Sequence, residues 1–159
     1  MAKHEIIDPP QTLKNKVKLG GPNAVNPEVL QRAEAVITNM ADEYLQWVEK
    51  DLVTIQKAFD ALNASPTGGR EHLELIYQVS HDIKGQGGSF GYQLMTIIGN
   101  QLCRFLEHLE SAGPLEIEVV RLHIDAMRLV ISKRIKDTGG ALGAQLLAGL
   151  DQVTAKVKK

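Results

Sequence analysis

The stretch SHDIKGQGGSFG, Ser80 to Gly91, interrupts a helical hydrophobic pattern with four glycines, one histidine and one lysine. Each glycine costs a helix roughly 1 kcal/mol relative to alanine. Helix stability is therefore not what this surface serves. On a wheel of about 100° per residue with Ile76 at the origin, Leu73, Ile76, Val79 and Ile83 fall within about 60° of one line and mark the core side. His81 falls at about 140°, Tyr77 near 100°, Lys84 near 80°, Gly88 near 120° and Gly85 near 180° on the same wheel. The histidine thus points outward, with a lysine one turn along and bare backbone beyond.

That arrangement gives the glycines a use. At Gly85 and Gly88 the absence of side chains lets a partner's backbone approach the imidazole. Free imidazole titrates at about 6.5, so a solvent-facing ring offers a nitrogen lone pair for covalent attack near neutral pH. Lys84 can reach an anionic group carried on that ring. Imidazole, ammonium and open helix surface together suit a phosphoryl carrier. Gly87, Gly88 and Gly91 also fit a turn between helices, whereas Gly85 lies one turn too early for a simple cap.

Outward from this stretch the chain reads as all-α. Asn26 followed by Pro27 is a helix start. Leu30, Ala33, Ile37, Met40, Tyr44, Val48, Ile55, Phe59 and Leu62 then recur at helical spacing, with a break expected near TNMAD, where Asn39 or Asp42 could recap a second segment. NASPTGG, residues 63–69, is a loop. A helix follows from about Arg70 to Ile83, another through Leu94, Met95, Ile98, Leu102, Phe105 and Leu109 to SAGP, and another through Ile117, Val120, Ile124, Met127 and Ile131 towards DTGG. Leu142, Leu146, Leu147, Leu150 and Val153 mark the last. Short connections favour an up-and-down bundle. Residues 1–26, with DPP and LGGPN as breakers, form a loosely structured N-terminal arm, and residues 27–159 a single helical domain.

Composition narrows the function classes. Eighteen basic against nineteen acidic residues give a net charge of -1, and aromatics are only 4%, so neither a nucleic acid nor a membrane surface is an expected partner. No apolar run reaches signal-peptide or membrane-span length, which makes a cytoplasmic location the default expectation. The single cysteine, Cys103, excludes an intrachain disulfide and reads as buried packing. His72, His108 and His123 read as surface or boundary residues. No histidine completes a Glu-x-x-His pair, so no metal site is expected. GQGGSFG lacks the spacing of a nucleotide-binding loop, which argues against phosphorylation from ATP.

HDIKGQGGSFGYQL resembles the signature of the histidine-containing phosphotransfer family. In that resemblance His81 is the phosphorylated histidine, followed by Lys84, Gly85, a small residue at Gly88, Gly91 and Leu94. It implies an up-and-down four-helix bundle of the histidine phosphotransfer type, here with additional N- and C-terminal helical segments. It also implies shuttling of a phosphoryl group between His81 and aspartates of response-regulator receiver domains in a two-component phosphorelay, with a hybrid sensor kinase as a further partner. Lys84 would stabilise the phosphoryl group, while Tyr77, Gly85 and Gly88 would face the partner. Gly91 would let the following helix pack closely, and Leu94 would be structural. Gln86 stands where the family often has a smaller residue; its wheel position, near 280°, directs it to the flank of the core and a hydrogen bond with a neighbouring helix. No bound cofactor is expected, and Mg2+ would come with the receiver. The rival reading is a non-catalytic helical adaptor binding receiver or kinase domains. A phosphatase drawing phosphate off receivers is a third.

Overall fold

The computed structural model describes residues 26–67 and 69–158. The expected N-terminal arm therefore lies, apart from Asn26, outside the described residues. Among those described, the chain forms five α-helices and no strand: α1 (Pro27–Ala64), α2 (Arg70–Gly87), α3 (Gln93–Leu106), α4 (Pro114–Ser132) and α5 (Gly140–Val157). Contacts divide the chain into two compact units, Met1–Glu43 and Tyr44–Lys159. None of the described helices is long and apolar enough to cross a membrane.

In the first unit, α1 begins where the sequence places it. The Asn26 side-chain oxygen accepts the Glu28 N–H at 3.0 Å, satisfying one of the free donors of the first turn, and Pro27 contributes a preset φ. The expected break at TNMAD is absent, because α1 is one run from Pro27 to Ala64. After Pro27 the run contains neither proline nor glycine, and Thr38 directs its hydroxyl back to the Glu34 carbonyl at 2.9 Å. A residue that could cap instead satisfies itself within the helix.

In the second unit, residues of α1 from Tyr44 onward share one core with α2, α3 and α4. Tyr44, Ile55, Leu62, Ile76, Ile83, Leu94, Ile98, Leu102, Ile124 and Met127 are fully buried in it. Successive helices alternate in direction, as their contacts require. Leu62 lies by Gly69 at the start of α2, while Tyr44 stacks on Phe90 just beyond its end. Cys103 and Thr96 on α3 meet Tyr77 and Lys84 on α2, respectively. The Leu94 N–H at the start of α3 donates to the Asp137 carbonyl beyond the end of α4, at 2.9 Å. Helix α5 adds Leu150, with Leu146, Leu147, Val153 and Val157 packed against the same core.

The α2 to α3 connection is tight. A single 3₁₀ turn, Gly88–Phe90, prolongs α2. Gly91 then takes φ 83°, a left-handed conformation that glycine adopts without a Cβ clash. The Tyr92 N–H closes the turn on the Gly87 carbonyl at 2.9 Å. From the far side, Asp137 donates its N–H to the Gly91 carbonyl at 2.7 Å, and the Lys136 ammonium sits 4.1 Å from the centre of the Tyr92 ring. Four consecutive constraints hold the hairpin that carries the candidate site.

Candidate functional site

Helix α2 turns Leu73, Ile76, Val79 and Ile83 to the core, as the wheel requires, and His81 is exposed on its other side. Four residues earlier Tyr77 is half-buried, its ring centroid 6.3 Å from that of the imidazole with 30° between planes. The Tyr77 hydroxyl donates to Glu107 at 3.5 Å. Partial desolvation, and then the Glu107 charge, hold that hydroxyl above its usual titration range. Tyr77 thus stays a neutral wall beside His81.

Lys84 is half-buried. A Cβ on Gly99 would stand 3.2 Å from both the Lys84 Cβ and its backbone nitrogen, so α3 meets Lys84 closely because Gly99 carries no side chain. The ammonium is a cation within electrostatic reach of Cys103. Burial pushes that thiol up, the Lys84 charge pulls it down, and Glu107 adds to the rise. Cys103 itself is buried and directs Sγ to the Tyr77 carbonyl at 3.9 Å, the packing role its apolar neighbours suggest. On the opposite flank, partial burial and then the Asp82 charge raise the Asp51 carboxyl.

The glycines separate into two kinds. A Cβ at Gly85 would meet nothing within 4 Å, although the residue is exposed within helical backbone. A Cβ at Gly87 would approach the Tyr92 carbonyl at 2.9 Å and Met95 at 3.0 Å, so Gly87 serves the hairpin. Gly88 opens the 3₁₀ turn, and a side chain there would press on Gln93 at 3.2 Å. Gly88 is the first residue past α2, with its backbone still right-handed helical at φ -62° and ψ -34°.

Gly91 permits the turn through its positive φ; a Cβ there would touch only Lys136, at 3.9 Å. Close packing of α2 on α3 comes from Gly87 and Gly99. Leu94 is fully buried, which stabilises the fold by about 2 kcal/mol on transfer grounds. Gln86 is exposed, and its side chain makes no hydrogen bond to a described residue of α3. At the last turn of α2 the contact with α3 is made by Gly87, which leaves Gln86 outside.

Three residues that sequence reasoning passed over complete the site. Ser80, next to His81, is fully buried and donates to the Ile76 carbonyl at 2.7 Å. Gly99 would bring a Cβ to 3.1 Å from the Ser80 carbonyl. Thr96 accepts the Gly88 N–H at 2.9 Å and donates to the Lys84 carbonyl at 3.0 Å. The signal was present as small residues at helical spacing on α3, Thr96, Gly99 and Cys103. Apolar periodicity on α3 marks only the larger Leu94, Met95, Ile98, Leu102 and Phe105.

Among the other described histidines, His108 is exposed and His72 half-buried. His123 departs from the expected surface or boundary position: it is 1% exposed. Its Nδ1 lies 2.8 Å from the Val119 carbonyl, while Nε2 is buried without a partner among the described residues. Burial lowers its pKa, against smaller upward effects from the Val119 carbonyl and Asp151. The ring is enclosed although it lies off the apolar centre of α4, with the Asp151 carboxylate of α5 near enough to act on its titration. Among the described residues no three His, Cys, Asp or Glu side chains gather as metal ligands would. Compared with known proteins, the chain matches no family model, no curated protein and no solved structure.

Proposed function

We propose that this protein is a histidine phosphotransfer protein that carries a phosphoryl group on His81 between aspartates of receiver domains. One observation carries the reading. Gly85 lies within a helix, in ordinary helical backbone, beside an exposed histidine, and open space surrounds the place of its missing Cβ. Alanine would favour the helix there by up to about 1 kcal/mol, and neither packing nor backbone conformation asks for glycine. A surface kept bare at a cost to folding is explained by a partner that must come close.

The α1 segment from Tyr44, with α2, α3 and α4, supports the architecture that the resemblance implies, a four-helix bundle with α5 added. In the reaction, a lone pair on an imidazole nitrogen of His81 attacks the phosphorus of an aspartyl phosphate. The new N–P bond forms as the acyl O–P bond breaks, and the aspartate leaves as carboxylate with the bonding pair. Such a transfer depends on positioning and on cations facing the phosphoryl oxygens. Lys84 is the cation on this chain, and the divalent ion belongs to the receiver. Tyr77 limits the ring's approach directions from one side.

The test is incubation with a panel of phosphorylated receiver domains, comparing wild type with His81→Gln. Rapid transfer to the wild type alone supports a carrier. Receiver binding of equal strength in both proteins, with no transfer, would replace it with the adaptor reading.

A further inference from the structure

Ten large hydrophobic side chains are exposed among the described residues, and four of them, Val29, Val36, Ile37 and Met40, lie within twelve residues of α1. Their exposures are 51%, 56%, 56% and 45%, respectively. Such a concentration on one short stretch of helix is what an unfilled interface leaves behind. Its spacing narrows the occupant. Val29, Ala33, Val36 and Met40 follow at steps of four, three and four, the seam of a two-stranded coiled coil. They fall within about 60° on the helix wheel, with Ile37 at the border.

We infer that this stripe is covered by the same stripe of a second copy of the chain, running antiparallel. The charges select that occupant and that direction. A register that sets Met40 of one copy on Val36 of the other makes the same contact twice by two-fold symmetry. It also sets Glu43 opposite Ala33, whose small side chain leaves room for a carboxylate, and puts Arg32 on the flank where Glu43 arrives. Each pair of helices then gains two symmetric Arg32 to Glu43 contacts. A parallel pair would instead face Glu43 with Glu43 inside the seam, which is unfavourable. Glu28, Glu34 and Asp42 lie about 110° or more from the seam and do not meet across it.

The pairing requires nothing of His81, so it stands or falls apart from phosphotransfer. The test is sedimentation of the 159-residue chain from about 1 to 100 µM, the range in which a small interface dissociates. A concentration-dependent dimer is expected. Met40→Glu should weaken it at least about tenfold, as loss of a central contact does, with the helical circular dichroism unchanged. Glu43→Arg should weaken it too, and adding Arg32→Glu should restore it. Mixed Val36→Cys and Met40→Cys proteins should form a disulfide heterodimer in preference to either homodimer. A monomer at every concentration, a dimer indifferent to Met40→Glu, or preferential Val36→Cys homodimers would overturn the proposal.

Discussion

The Thr96 hydroxyl donates to the Lys84 carbonyl at 3.0 Å, tying the backbone of the proposed phosphoryl-stabilising lysine to α3. The same oxygen accepts the Gly88 N–H at 2.9 Å. One side chain thus occupies two backbone groups at the end of α2, where helix carbonyls lose their regular partners. Thr96→Val keeps the shape and removes both bonds. Unfolding in urea should show a loss of about 1–3 kcal/mol, the cost of part-buried polar groups left unpaired. Thr96→Ser should recover most of it.

Gly85 and Gly87 should respond to alanine in opposite directions. Gly85→Ala enters open space on a helix and should raise stability by up to about 1 kcal/mol, while slowing transfer from a phosphorylated receiver. Gly87→Ala meets the Tyr92 carbonyl at 2.9 Å and should lower the melting temperature. If Gly85→Ala changed neither receiver binding nor transfer, the access argument would fail.

Lys84→Ala should slow phosphotransfer in both directions with little effect on unfolding, and Lys84→Arg should restore part of the rate by returning a cation. Stopped-flow mixing with one phosphorylated receiver measures this. Unchanged kinetics in Lys84→Ala would remove the lysine's electrostatic role.

His123 should make the fold sensitive to mild acid. Burial depresses its folded pKa below the ordinary 6.5, so the unfolded chain binds this proton more readily than the native one. Its contribution is fully present above about pH 6.5 and falls as pH drops through that value towards the lower folded pKa. Urea unfolding at pH 7.5 and pH 5.5 should therefore show a larger loss in wild type than in His123→Gln. Comparing the two proteins separates this histidine from the carboxylates, including Asp51, whose raised pKa acts in the opposite sense.

The helices were legible where a local rule acted alone. Asn26 and Pro27 announced α1, and the outward side of α2 followed from four apolar positions. What depended on two helices meeting was not legible. A wheel gives the direction of Gly88, whose backbone is still right-handed helical at φ -62° and ψ -34°, but not the Gln93 and Thr96 side chains that stand near it. It also treats α4 alone, whereas α5 packs Leu146, Leu147, Leu150 and Val153 against the same core, and His123 is buried. At TNMAD capping residues suggested an end, but capping needs a chain that departs from the helix, and nothing in α1 breaks its backbone. Position along the chain already set Gly85 apart from Gly87, Gly88 and Gly91. The role of Gly99 was not legible, because it rests on the Ser80 carbonyl and Lys84 that a Cβ there would meet on the neighbouring helix.

The most direct test of the central claim is the chemical state of His81 after exposure to a phosphorylated receiver. Phosphorus NMR and mass mapping at neutral pH should find a phosphoramidate on His81, labile in acid, stable in base and absent from His81→Gln. A folded wild-type protein that acquires no phosphoryl group from any receiver, or that acquires it equally when His81 is replaced, would contradict the account.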